Sequence, residues 1–157
     1  MDARLDYAAN PVVGKALKYI ASAGRELKES ALPAATQELV ALRVSQINGC
    51  GSCIDMHTKD AALAGESAVR LNLVAAWREA AVFTEAERAA LALAEEGTRI
   101  ADAATGVADE TWARAAEHYD EDQLAALVLL VSFMNLANRM NVIARRPAGD
   151  YVPGSFH

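Results

Sequence analysis

Two cysteines, Cys50 and Cys53, stand three residues apart with Gly51 and Ser52 between them, and the 157-residue chain holds no others. His57 follows four residues after Cys53 and seven after Cys50. Residues three apart in an α-helix have Cα atoms about 5 Å apart, within the span a disulfide bridges. A pair at the start of a helix can therefore close and reopen with little backbone movement. The unpaired N–H groups and positive dipole end at such a position favour a thiolate. The small Gly51 and Ser52 are expected to leave both sulfurs approachable. A histidine on the same helical stripe can take a thiol proton and later return one to a leaving group.

A fourth residue follows from how the neighbouring helix must run. Asn48-Gly49 reads as a helix end, with glycine free to take the left-handed turn. If the helices before and after it form an antiparallel hairpin, Glu38 lies about 15 Å back from the turn and His57 about 10 Å forward of it. The mismatch of about 5 Å is within reach of two facing side chains. Leu39, Val40, Ala41, Leu42, Val44 and Ile47 surround that helix with apolar residues. A carboxylate there needs a partner, and a histidine N–H is a suitable one.

The remaining segments read as helices too. Alanine, the strongest helix former, supplies 35 residues, and none of the four prolines interrupts an apolar-periodic run. Pro11 after Asn10 opens a helix over about 11–29, and Pro33 opens one over about 33–47. A third runs over about 51–64 and stops at Gly65. Ser67 caps one over 68–76. Thr84 and Glu87 form a capping box for a helix reaching about 103. Asp109 caps a segment over 110–119, and Asp120 with Gln123 starts a final helix over about 121–145. No alternating strand, repeat or linker stands out, so the expectation is one all-α domain, a single-domain bundle of six to seven helices with its core at about 11–146.

The final helix carries Leu124, Leu127, Val128, Val131, Met134 and Leu136 on nearly every side. Such a helix is either central in its own fold or partly covered by another subunit, and an oligomer is expected. The continuous apolar stretch from Leu124 to Met134 is too short for a bilayer. With a net charge of −6 and only Arg145-Arg146 paired among the basic residues, no stripe could track phosphates. The expectation is a cytoplasmic protein without nucleic-acid or membrane partners. In that reducing compartment a permanent structural disulfide would be unusual.

Other uses of a cysteine pair fit less well. A structural zinc site wants four ligands, and His118 and His157 are distant and terminal, so no metal or cofactor is expected. Haem attachment needs histidine where Ile54 stands, and an iron–sulfur cluster normally takes four cysteines.

The full string Glu38-x11-Cys50-x2-Cys53-x3-His57 resembles the AhpD-like alkylhydroperoxidases of the carboxymuconolactone decarboxylase-like family. The likeness extends to Gln37–Leu42, Trp77, Phe83–Leu91 and Asn135-x2-Asn138-Arg139. It implies an all-α fold assembled as homotrimers or homohexamers, with thiol peroxidase or disulfide reductase activity. By that pattern Cys53 would attack a small organic hydroperoxide, and Cys50 would resolve the sulfenic acid to a disulfide. Glu38 and His57 would relay protons, a path that can include water. An external dithiol, lipoyl or thioredoxin-like, would reset the pair. Ser52 departs from the family, whose best-known members have histidine there. The decarboxylase branch generally lacks this dithiol. The departure at Ser52 keeps a second expectation open, a redox-responsive oligomeric interaction protein whose disulfide alters assembly without turnover. Asn135, Asn138 and Arg139 read as structural.

Overall fold

A computed structural model of the chain describes residues 2–7, 9–103 and 105–155; His157 lies outside them. Among the described residues there are seven α-helices, one 3-10 helix and no strand. They are α1 (Pro11–Lys28), α2 (Ala34–Asn48), α3 (Gly51–Leu63), α4 (Ala68–Leu73), a 3-10 helix (Val74–Glu79), α5 (Glu85–Thr98), α6 (Asp109–Ala116) and α7 (Glu121–Ile143).

Most boundaries follow local chemistry. The Asn10 side chain accepts from the N–H groups of Val12 and Val13 ahead of Pro11. Complete capping boxes form at Thr84/Glu87 and Asp120/Gln123. Ser67 accepts from Arg70 N–H at the start of α4.

Several boundaries differ from the sequence expectation, among them the end of α6, which stops at Ala116 rather than at 119. The segment over 68–76 is not one α-helix: it tightens to 3-10 geometry at Val74, which brings Val74 and Trp77, three apart, into the core together. Helix α5 ends at Thr98 rather than near 103, because the alanine-rich continuation at 101–103 is exposed and buries nothing. Propensity without packing does not extend a helix. Asp109 does not cap α6. Glu96 of α5 does that work from across the fold, accepting from Ala108 N–H at 2.8 Å and Thr111 Oγ1 at 2.6 Å.

Helix α2 occupies the centre. Val40, Ala41 and Val44 pack with Leu93, Ala94, Leu127, Val131 and Met134 in one half of the core. Leu39 and Leu42 pack on its other side with Ala61, Leu71, Trp77, Phe83 and Leu91. Gly97 lets α5 meet α7 closely: a Cβ there would stand 3.1 Å from Val131.

Helix α7 is longer than the apolar stretch at 124–134 suggested. By length and composition alone its 23 residues could cross a membrane. It packs against α1, α2, α3, α5 and α6, with Leu127 and Asn138 fully buried, so it serves as a core helix here.

Candidate redox site

The turn between α2 and α3 builds the site. Gly49 takes φ +66°, ψ 30°, and its N–H donates to Gln46 O while Cys50 N–H donates to Ser45 O. This double bond pattern closes α2 with a left-handed glycine. Cys50, extended at φ −83°, ψ 92°, is then the N-cap of α3, and its carbonyl accepts the first intrahelical bond from Ile54 N–H. One residue thus ends one helix and begins the next. Cys53 falls in the first turn of α3, its Cα 5.3 Å from that of Cys50, and the two sulfurs are joined as a disulfide.

The helical hairpin brings Glu38 to His57, as the register argument required: His57 Nδ1 lies 2.9 Å from Glu38 Oε2. A carboxylate only accepts, so Nδ1 carries the hydrogen and Nε2 presents its lone pair when the ring is neutral. Nε2 is buried and bonded to no group among the described residues. His57 Nε2 thus makes no hydrogen bond to either sulfur. Glu38 keeps about a third of its side chain exposed and His57 much less, so the pair runs from solvent into the interior.

The sulfurs are not approachable in this state, against the sequence expectation. Cys50 is 1% and Cys53 2% exposed. Gly51 and Ser52 are small, but cover comes from residues distant in sequence: both cysteines join the core half formed with α7, and Ala148 lies 3.4 Å from where a Gly51 Cβ would be. The segment after α7 is fastened along α3. Lys59 Nζ donates to Gly149 O and Tyr151 O, and Asp55 accepts from the N–H groups of Gly149 and Tyr151. The Lys59 hydrogen bond and those two backbone donors hold the Asp55 carboxyl below the usual range, against the opposing effect of burial. Ser52 places its Oγ 3.6 Å from Cys50 Sγ.

Behind the dithiol a polar ladder ties α7 to the end of α2. Asn48 Nδ2 donates to Asn135 Oδ1 and Asn138 Oδ1, and Asn138 Nδ2 donates to Ser45 Oγ. Arg139 donates back to Asn135 Oδ1. These are the structural roles expected of the three residues. The sequence reading missed one further residue: Asn141 Nδ2 lies 3.3 Å from Cys53 Sγ. The signal was present, since Asn135, Asn138 and Asn141 continue one three-residue spacing.

A second polar cluster lies away from the dithiol, where Glu95 accepts from Arg43, Trp77 Nε1 and Arg78. Burial opposes its charge, but the three donors outweigh that and hold the carboxyl below the ordinary range. Two open clefts of about 310 and 510 Å³ border this cluster, and neither is lined by Cys50, Cys53 or His57.

Residues 11–96, more than half of the chain, match the carboxymuconolactone decarboxylase family. The chain belongs to that family. Within it the protein is AhpD-like. It is 39% identical to the uncharacterized protein YdfG of Bacillus subtilis, over 83% of this chain and 88% of that one. A solved Agrobacterium tumefaciens protein of unknown function, provisionally described as the antioxidant defence protein AhpD, superposes with a TM-score of 0.88 at 32% identity, covering 96% of this chain and all of the other. A peroxidase-related protein from Silicibacter sp. TM1040 shares the fold, with a TM-score of 0.76 at 20% identity over 99% and 96% of the two chains. Membership of this family and the Cys50–Cys53 pair fit a peroxidase-like redox role.

Proposed function

We propose that this AhpD-like protein is a thiol-dependent peroxidase that reduces small organic hydroperoxides through Cys53. The observation that carries the reading is the bonded Glu38–His57 pair beside a closed Cys50–Cys53 bridge at the start of one helix. In the reduced protein the Cys53 thiolate attacks the distal peroxide oxygen. The O–O bond breaks, the alkoxide takes a proton delivered through His57 and leaves as alcohol, and Cys53 becomes a sulfenic acid. Cys50 then attacks that sulfur, the disulfide forms and water departs, its proton returning through the same relay. An external dithiol, on a lipoyl or thioredoxin-like protein, reduces the bridge by two exchanges and is itself oxidised.

The partly exposed carboxylate gives the relay its contact with solvent. Turnover requires the cover over the sulfurs to open, since neither is reachable in the disulfide state. Exposed Val128, Leu129 and Leu136 on α7, with Val12 and Tyr19 on α1, support assembly as a homotrimer or homohexamer. The test is hydroperoxide consumption with a dithiol donor, comparing wild type with Cys53→Ser. The reading expects turnover in the first only; equal rates would remove it.

Burial of both sulfurs favours one second reading, a redox-responsive interaction protein whose disulfide alters assembly without catalysis. It expects gel-filtration size to change on oxidation while peroxide persists.

A further inference from the structure

Helix α7 reaches the dithiol with its last turn, and the chemistry of that turn is unusual. A helix C-terminus normally presents unpaired carbonyls and a negative dipole end, which would oppose a thiolate nearby. Here each carbonyl from 140 to 144 is engaged. Met140 O accepts from Tyr7 Oη and Ala144 N–H, and Asn141 O accepts from Arg146 N–H. Val142 O accepts from Arg145 N–H, Ile143 O from Arg4 Nη1 and Ala144 O from Arg4 N–H. To close the turn, Arg145 adopts φ +54°, the one non-glycine residue in the left-handed region among those described. The chain accepts that strain, about 1 kcal/mol, in a turn whose first residue is Asn141.

The side chain of Asn141 projects from this braced turn to Cys53 Sγ at 3.3 Å. The amide nitrogen must be the atom that faces sulfur, because an amide oxygen would set lone pair against lone pair. The titratable groups of the site are His57 and Cys50 on the same stretch of chain and Glu38 from α2. From α7 come the amides of Asn138 and Asn141, while Arg139 is bonded to Asn135 and the phenol of Tyr7 from the N-terminal segment is bonded to Met140 O. Asn138 is itself committed to Ser45 and Asn48. Asn141 is a side-chain donor to Cys53 Sγ.

We propose that Asn141 is a thiolate-stabilising residue, holding Cys53 in its charged form when the bridge is open. A neutral disulfide sulfur is a weak acceptor, whereas a thiolate makes the bond charge-assisted and stronger. The interaction is thus worth most in the reduced protein, when sulfur must act as nucleophile, and again when Cys53 leaves as thiolate during reduction of the bridge. This deepens the peroxidase reading and rests on it for its purpose, but its test needs no peroxide.

The test is the pH dependence of Cys53 alkylation in the fully reduced protein, resolved by peptide mass spectrometry, for wild type, Asn141→Ala and Asn141→Asp. Loss of the donor is expected to raise the alkylation midpoint by about one pH unit in Asn141→Ala, a tenfold smaller thiolate fraction below the midpoint. Asn141→Asp, nearly the same shape but acceptor-only and charged, is expected to raise it further. It decides the matter if the alanine variant fails to fold. An unchanged midpoint in folded Asn141→Asp would overturn the inference. If the midpoint moves while hydroperoxide is never consumed, the peroxidase reading fails and Asn141 keeps its role. If turnover is robust while the midpoint stays, the reverse holds.

Discussion

At the scale of single residues, the proposed cycle depends on a proton path that reaches solvent through one carboxylate, Glu38. Glu38→Gln can keep a hydrogen bond to His57 Nδ1 but loses the charge that stabilises an imidazolium formed in the cycle. Positioned acid–base groups contribute on the order of 100-fold or more to rate. The variant is expected to lose about that factor in kcat for hydroperoxide, with KM little changed and the fold intact by circular dichroism. Steady-state kinetics with a dithiol donor checks this, and an unaltered kcat would place Glu38 outside the path. Cys50, Cys53 and His57 were legible because one helix carries all three and its period is known. Glu38 was legible because the turn at Asn48-Gly49 sets the register of its helix against theirs. Asn141 was hidden for the opposite reason. Its meeting with Cys53 spans 88 residues and depends on how far α7 slides along α3, which no local pattern specifies.

At the scale of elements, the reversal from α2 to α3 sets where the dithiol sits. Gly49 holds a positive φ with open space around its missing Cβ, so Gly49→Ala pays the backbone cost alone, about 1 kcal/mol. Because that cost falls on the turn that makes Cys50 both the end of α2 and the N-cap of α3, thermal unfolding should fall by a few degrees. Differential scanning calorimetry on oxidised protein measures it; an unchanged midpoint would mean the left-handed turn is not strained by a side chain. Capping residues announced most helix starts, since a cap acts within three or four residues of itself. Where the sequence reading failed, packing had overridden propensity. Alanine at 101–103 had nothing to bury against, Val74 and Trp77 were drawn together into the core, and Glu96 reached from another helix to start α6. The cover over the sulfurs escaped notice likewise, because α7 and the segment after it provide it while the adjacent Gly51 and Ser52 suggested openness.

At the scale of the whole molecule, two buried carboxylates, Glu87 and Glu95, tie separate elements together. Glu95 with Arg43, Arg78 and Trp77, and Glu87 with Arg70, link separate elements, and Glu87 also closes the capping box with Thr84. Burial opposes ionisation of each, but their donors prevail, and both carboxyls titrate below the ordinary range. A folded value below the unfolded one contributes stability that is present above the ordinary carboxylate pKa, about 4.3, and is lost as pH falls through the lower folded value. Melting temperature should therefore hold from neutrality to about pH 4.5 and then decline. Glu95→Gln, which leaves two arginines short of a counter-charge, should lose about 2–3 kcal/mol at neutral pH and show a shallower acid decline. Urea unfolding at a series of pH values separates the two effects, and parallel acid limbs would contradict the assignment.

In the proposed cycle Cys53, and not Cys50, is the sulfur that meets peroxide. Reduced Cys50→Ser protein, given one equivalent of a small organic hydroperoxide and a sulfenic-acid trapping reagent, tests it by peptide mass spectrometry. The expected result is a trapped adduct on Cys53 with an equal amount of alcohol released, and little trapping on Cys50 in the matching Cys53→Ser protein. An unmodified Cys53, or equal trapping on Cys50 in the reciprocal variant, would contradict it.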